Sequence, residues 1–352
     1  MRALALTRRP TPGTLADVIK MTEIANPAPR SGEVAVKVHA STINIDDIHI
    51  AEGTFYGGLP IGPRPHCDRP VIPGSDIAGT VIAVGKGVHS FRIGDPVFGV
   101  HAPFQAKGAW AEICPISERW LTVKPDSVRF GTAAACGVAG LVAFSAIDAL
   151  NLRPGRRIVI VGATGGIGSM AVQLAARAGS EVIGICGPAH VDDAYRLGCS
   201  VVLDYAGEPW DSTLRKMGRT PVDGVVDSVG GSDVEEMGRR VLASEGVFVT
   251  VVGPQRFVGN RALGWSGVLA IAARIARRII GSRIRGPRYV LTGPGPGGAS
   301  VLGDVAKAAA AGVLPSIDST VRFELEPMRQ ALRRAAAHQN HGQIVISMEP
   351  DL

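Results

Sequence analysis

The stretch Arg157–Gly187 reads RIVIVGATGGIGSMAVQLAARAGSEVIGICG, and its succession of textures decides the fold. An apolar run, Ile158 to Val161, stops at Gly162 as a buried strand does. Gly162-Ala163-Thr164-Gly165-Gly166-Ile167-Gly168 then forms a tight turn, Ser169 to Ala178 has the texture of a helix, and Glu181 to Ile185 reads as a second strand. Glycines let backbone N–H groups approach an anion at a helix N-terminus, so this unit suits the pyrophosphate of a dinucleotide. Taken alone, Gly-x-x-Gly-x-x-Gly is often only a turn. Strand, turn, helix and strand in this order make it a binding motif.

Outward from this unit, strands and helices keep alternating through Ser200 to Leu203, Gly224 to Asp227 and Val247 to Val252, which predicts a parallel, doubly wound sheet. Before it, Met1 to about Pro125 consists of short alternating strands such as Glu33 to Val38, broken by Pro and Gly clusters. A long surface excursion, Thr54 to Pro73, is expected to edge a substrate cleft. The tail returns to a strand, a helix (Pro327 to Ala337) and a last strand, Gln343 to Ser347, expected to rejoin the first domain. The division read from the sequence is therefore 1–125 completed by 313–352, with 126–312 as the dinucleotide-binding domain.

Composition agrees with an α/β chain of two domains: 352 residues are too many for one typical core, and 46% are hydrophobic against 19% charged. Five cysteines, Cys67, Cys114, Cys136, Cys186 and Cys199, contain no C-x-x-C pair, so neither a disulfide framework nor a zinc knuckle is indicated. A reducing, cytoplasmic setting is expected. The opening MRALALT reads as an edge strand rather than a leader, and no apolar run is long enough for a membrane span. The net charge of +6 decides nothing between nucleic acid, membrane and phosphate-bearing ligands.

At the end of the second strand a free ribose 2′-hydroxyl is usually read by Asp or Glu, about 20 residues past the first glycine. Cys186-Gly187 stand there; Glu181 begins the strand, and Asp192 and Asp193 fall in the next helix. A missing acid removes repulsion against a 2′-phosphate, so NADPH is expected over NADH. His190 and Tyr205 are the nearest partners for that phosphate, each more readily read as an ordinary surface residue. With Gly253 after the strand Val247 to Val252, the expected cofactor contacts are Gly162, Thr164, Gly165, Gly166, Ile167, Gly168, His190, Tyr205 and Gly253.

Several further motifs occur in order: Asn44-Ile45-Asp46-Asp47, Pro73-Gly74-Ser75-Asp76-Ile77-Ala78-Gly79, Gly94-Asp95-Pro96-Val97 and Gly108-Ala109-Trp110-Ala111-Glu112. With the glycine turn they resemble the medium-chain dehydrogenase/reductase superfamily over almost the whole length, in particular its zinc-free quinone oxidoreductase (zeta-crystallin-like) group. Gly264 to Tyr289, a helical insert followed by Arg288-Tyr289, is most similar to the reticulon-interacting oxidoreductase branch. The resemblance implies a GroES-like catalytic domain, an inserted Rossmann domain and a homodimer.

Aligned on this family, Asn44 takes the place of the first zinc ligand of the alcohol dehydrogenases, Gly74-Ser75-Asp76 replaces their Gly-His-Glu, and Cys136 lies near the third ligand's place. One such ligand does not hold a metal, so no metal site is expected. Without a Lewis acid, oxidation of simple alcohols loses its alkoxide stabilisation, and an acceptor that is already electrophilic, a quinone or an α,β-unsaturated carbonyl, is implied. The candidate catalytic residues are Asn44, as hydrogen-bond donor to acceptor or ribose, Tyr56, one residue past the place (Phe55) where relatives carry a tyrosine, and His49, either a proton relay or a histidine held by backbone. Asp47 is expected to brace the loop. His341-Gly342-Gln343 and Gly140-Leu141-Val142 replace the family's Arg-Gly-Lys and Gly-Leu-Thr, which subtracts cofactor contacts. An enoyl-thioester reductase, and a non-catalytic NADPH- or RNA-binding protein, remain as alternatives.

From Arg256 to Arg288 every charged residue is Arg. Helical spacing puts Val268, Ile271, Ala272, Ile275 and Ile279 on one face and Arg274, Arg277 and Arg278 beside it. Such a helix either sits on an anionic membrane or is a solvated cover over the cleft or a dimer interface. Nucleic acid is not expected, because no aromatics interleave the arginines.

Overall fold

The computed structural model describes residues 1–54, 63–101, 105–256, 263–284, 286–293 and 298–349. The chain forms two compact units, Met1–Val138 with Val258–Val268 and Pro296–Leu352, and Ala139–Phe257 with Leu269–Gly295.

In the first unit, β1 (Arg2–Ala5) and β2 (Lys20–Glu23) form an antiparallel ribbon joined through α1 (Leu15–Val18). The main sheet comprises β3 (Glu33–Ile43), β4 (Asp76–Val84), β5 (Pro96–Val100), β6 (Ile113–Ser117), β7 (Leu121–Val123), β14 (Ile317–Arg322) and β15 (Gln343–Ser347). Its order is β14-β15-β3-β4-β5-β7, with β6 on β3. Only β14 and β15 run parallel, as their connection through α11 (Leu325–Ala336) requires. β3 is nearly continuously buried, pairing with β4, β6 and β15. One apolar core joins Leu4, Leu6, Ile43, Ile48, Met328 and Ile344; another joins Val36, Val38, Ile77, Val97 and Ile116.

This unit extends beyond the limits read from the sequence. α3 (Phe130–Ala135) packs on β3, β4 and β15, so residues 126–138 lie here. α10 (Gly298–Ala310) packs against β7, which brings the chain back before residue 313. Small-residue helices carry no local mark of the sheet they cover. α2 (Ile45–Glu52) starts immediately after β3 and holds the residues of greatest chemical interest.

The second unit is a six-stranded sheet of β8 (Arg157–Val161), β9 (Glu181–Cys186), β10 (Val201–Asp204), β11 (Val222–Asp227), β12 (Leu242–Thr250) and β13 (Arg288–Leu291), wholly parallel, in the order β10-β9-β8-β11-β12-β13. The connections carry α5 (Gly166–Arg177), α6 (Val191–Leu197), α7 (Trp210–Lys216), α8 (Ser232–Val241) and α9 (Gly264–Ile284), with α4 (Gly137–Asp148) leading in. Strand order reverses between β8 and β11, so the ligand crevice of such a sheet opens at their carboxyl ends. Val159, Ile183, Val225, Phe248 and Tyr289 build the core. No described helix is long and apolar enough to cross a membrane. All five cysteines are free, and only Cys67 is exposed.

Candidate functional site

In the second unit the glycine turn takes the shape its residues demand. Gly162 has φ +79°, and a Cβ there would stand 2.5 Å from Ser228 Oγ, so the turn closes directly on the residue after β11. A Cβ on Gly168 would run into the carbonyl oxygen of Gly162, so only glycine lets α5 pack this close. Gly162 and Ala163 N–H both donate to Ile185 O, at 2.9 and 3.0 Å, fastening the turn to β9. α5 begins at Gly166 rather than at Ser169, with Gly165 as N-cap and no side chain capping it. The first N–H groups of a helix have no acceptor within it, so those of Gly166, Ile167 and Gly168 face outward as donors for an anion. Thr164, within the turn, is buried.

Around the same crevice lies a network that sequence reasoning passed over. Buried Asp227 accepts from Val229 N (2.9 Å) and Gly230 N (2.8 Å) through Oδ1, and from Thr250 Oγ1 (2.9 Å) through Oδ2. Gly253, with φ +94°, donates its N–H to Thr250 Oγ1 and accepts from Gly231 N. The expected contact Gly253 is thus tied to the ends of β11 and β12. The sequence signal was an apolar strand ending in Asp227-Ser228-Val229-Gly230-Gly231.

At the end of β9, Tyr205 N–H donates to Cys186 O (3.2 Å), and the Tyr205 hydroxyl stands over Gly187, 3.2 Å from where a Cβ would be. His190 Nδ1 lies 3.2 Å from Asp193 Oδ2, and Asp193 also pairs with Arg196. Burial, then the charges of Asp204 and Asp193, push the Cys186 thiol up to about 11. Asp204 thus lies beside Cys186 in the strand register, and Asp193 engages His190, so acids stand around the position that lacked one in the linear sequence.

In the first unit, β3, the start of α2, β4 and the first turn of α4 converge on Asp76. Its Oδ2 accepts from Thr42 Oγ1 (2.6 Å) and Asn44 Nδ2 (2.8 Å), its Oδ1 from Val138 N (2.7 Å), and its backbone oxygen from Ser41 Oγ (2.6 Å). Asn44 Nδ2 also reaches Thr42 Oγ1 and Ser75 Oγ, at 3.1 and 3.2 Å. Asn44 caps α2, its N–H donating to Asp47 Oδ2 (3.1 Å). The Asn44 amide is therefore turned into the cluster rather than left free as a donor. Burial holds the Asp76 carboxyl up at about 6 against the donors Asn44, Thr42 and Val138. Burial raises Asp47 to about 7, reinforced by the charge of Asp76 and opposed by Asn44 N–H and the Ser75 hydroxyl.

Asp47, Ser75 and His101 line a cavity of about 30 Å³, with room for a water or two. His101 is fixed by Nε2 to Pro115 O (3.1 Å), and His49 is buried in α2, its carbonyl accepting from Thr54 N (2.8 Å). Tyr56 and Phe55 lie outside the described residues. The sequence showed Asp47 as a brace for its loop and Ser75-Asp76 only as motif letters; that the three share one buried site follows from β3 pairing with β4.

A parallel sheet with an uncapped, glycine-opened helix, in one chain with an antiparallel β-rich unit, defines a two-domain fold of the dinucleotide-binding oxidoreductase type. Residues 30–126 match the alcohol dehydrogenase GroES-like domain and residues 197–346 the zinc-binding dehydrogenase family. The chain is 35% identical over 223 residues to the chloroplastic quinone-oxidoreductase homolog of Spinacia oleracea, a match taking in 61% of this chain and 65% of that protein, less than two thirds of its length. It is 28% identical over 335 residues to the mitochondrial NAD(P)H oxidoreductase RTN4IP1 of Homo sapiens, covering 90% of this chain and 82% of that one. Among solved structures, the quinone oxidoreductase from Coxiella burnetii superposes with a TM-score of 0.75 at 23% identity, over 99% of each chain. A mycobacterial protein complexed with NADPH gives 0.74 at 22%, over 99% of this chain and 100% of that one. The chain belongs to the medium-chain dehydrogenase/reductase superfamily, with a GroES-like domain and a Rossmann-type domain.

The zinc in one family's description does not fit this donor set. Asp76, the carboxylate nearest the aligned positions, has both oxygens occupied by protein donors. Cys136 is a single buried thiol, and one such ligand does not hold a metal. Among the described residues no group of three His, Cys, Asp or Glu side chains is placed to hold an ion.

Proposed function

We propose that this chain is an NADPH-dependent, zinc-independent oxidoreductase that reduces a quinone or an α,β-unsaturated carbonyl. The observation that carries it is the open start of α5, where glycines that admit no Cβ leave backbone donors free at the sheet's switch point. A reduced nicotinamide bound there would supply a hydride to the electrophilic carbon of the acceptor.

The protein's own part is placement and protons. Gly166, Ile167 and Gly168 N–H hold the pyrophosphate, with Gly253 and the Asp227–Thr250 network shaping the crevice beyond Gly162. Tyr205, whose hydroxyl stands over Gly187, would receive the adenosine ribose. Asp193 and Asp204 disfavour a 2′-phosphate there, so the preference for NADPH over NADH is small, under about tenfold or ~1.4 kcal/mol. Asn44 enters as a positioning residue that fixes Asp76 and starts α2. Asp47, raised to about 7, holds the proton that a reduced oxygen takes up at neutral pH. His49 and Tyr56 remain candidates for the same relay. A homodimer in a reducing cytoplasm, with peripheral contact to an anionic membrane giving access to lipid-soluble acceptors, completes the reading.

The test follows NADPH and NADH absorbance with a panel of quinones, enones and enoyl thioesters. Turnover with a quinone or enone is expected. Turnover confined to enoyl thioesters favours a thioester reductase. RNA retained in a salt-dependent way without turnover favours a binding protein, and no turnover with any acceptor sinks the enzyme reading.

A further inference from the structure

We infer that α9 and the end of α8 form a docking site for an anionic phospholipid surface, with a pocket for the headgroup phosphate. The helix is apolar on two sides. Val268, Ile271, Ile275 and Ile279 are the half-buried side; Ile279 packs against the core of the second unit, and Arg278 on the same side grips buried Glu235 through Nε. Ala272, expected with them, is exposed.

The opposite side is the unexpected one. Trp265, Leu269, Ile280 and Ile284 are 68%, 66%, 60% and 81% exposed, although side chains of this size rarely leave so much apolar area to water together. At about 100° per residue these positions and Ala276 fall within an arc of roughly 100°, a ridge about 29 Å long. Arg277 and Arg274 flank it, and Arg283 stands on its edge, on the same bearing as Trp265; all three are exposed.

Beside this ridge a cavity of about 270 Å³ is lined by Arg239, Arg277, Arg278, Gly281 and Ser282. Among the described residues no carboxylate pairs with Arg239, Arg274, Arg277 or Arg283, while Arg278 is neutralised by Glu235. The guanidinium groups of Arg239 and Arg277 around one hollow are the donors that a phosphate monoanion or diester recognises, while the Ser282 hydroxyl donates to Ile279 O (2.9 Å) and offers only its oxygen.

The two features together select the occupant. A convex apolar ridge fits a deformable medium better than a matching groove, and arginines on its flanks keep their heads at the phosphate level while the ridge enters the acyl boundary. A second copy of the chain would set unpaired arginines against arginines, which repels. An RNA would use the arginines but leave the ridge in water.

The experiment is flotation of the full chain with vesicles of phosphatidylcholine alone or with about one third phosphatidylglycerol, at low and high salt. Binding at least tenfold stronger to the anionic vesicles is expected, lost in high salt. Leu269→Glu with Ile280→Glu should abolish it, and Arg277→Glu should weaken it about tenfold. A blue shift of tryptophan emission should vanish in Trp265→Phe. Circular dichroism and NADPH binding by all variants report that they are folded. Equal binding to both vesicles, no binding, or binding indifferent to the Leu269 and Ile280 changes overturns the proposal. So does capture of inorganic phosphate with no vesicle binding, which marks a free-anion site, or a dimer that buries Trp265. Because every readout is binding, failure here leaves the oxidoreductase reading standing.

Discussion

The glycine turn of the second unit and the Asp76 cluster of the first are both polar and largely buried, yet they are built in opposite ways. At Gly162–Gly168 the main chain leaves donors open. Around Asp76 the donors of Thr42, Asn44 and Val138 close on one carboxylate. Open donors bind a ligand, whereas closed ones hold a shape. The contrast assigns recognition to the turn and positioning to the cluster, and each assignment can be broken.

The largest effect is expected at the closed site. Asp76→Leu leaves three buried donors without an acceptor and should cost about 3 kcal/mol of stability by urea denaturation. A loss of NADPH binding with unchanged stability would reverse the assignment. Gly168→Ala comes next: its Cβ collides with main chain that cannot move aside, so NADPH affinity, read by fluorescence titration, should fall about 30-fold. Gly165→Ala, whose Cβ would stand 3.3 Å from Gly162 O, should lose much less, and equal losses would remove the steric argument.

A third expectation concerns pH. Asp47 and Asp76 are raised in the folded chain to about 7 and about 6, so the native state binds more protons than the unfolded one between ordinary carboxylate pH and neutrality. Their contribution is therefore fully present below about pH 4 and is lost as pH rises through 7. Asp47→Asn should flatten that part of the stability profile; an unaltered slope would mean the carboxyl is already ionised. The smallest effect is at the end of β9, where Asp204→Asn should raise the NADPH to NADH affinity ratio a few-fold, and Asp193→Asn similarly.

What the sequence showed and what it hid divide along the same line. β8, the turn and β9 were legible because strand, turn and helix signals there are local and agree. The helix starts three residues earlier than its propensities suggest, because close packing against Gly162 outweighs the poor helix preference of glycine. The Asp76 cluster depends on which residue of β3 lies beside which of β4, and Ser41 opposite Ile77 is a register no local pattern specifies. α9 was legible as a helix, and spacing picked out the face that turns inward, Ala272 apart; the second apolar side, Trp265, Leu269, Ile280 and Ile284, was missed because nothing local marks which of two apolar sides stays in water.

The proposed phosphate cradle, made of main chain, also constrains inheritance. Substitution at Gly162 or Gly168 damages the turn before it can alter preference, so lineages have little to edit there. On the proposed reading, coenzyme choice would change where side chains stand, between Cys186 and Tyr205, and on exposed Tyr205 or half-buried Asp193 an exchange leaves the sheet intact. The part of the molecule that most firmly announces a dinucleotide is for that reason the part least able to record which one.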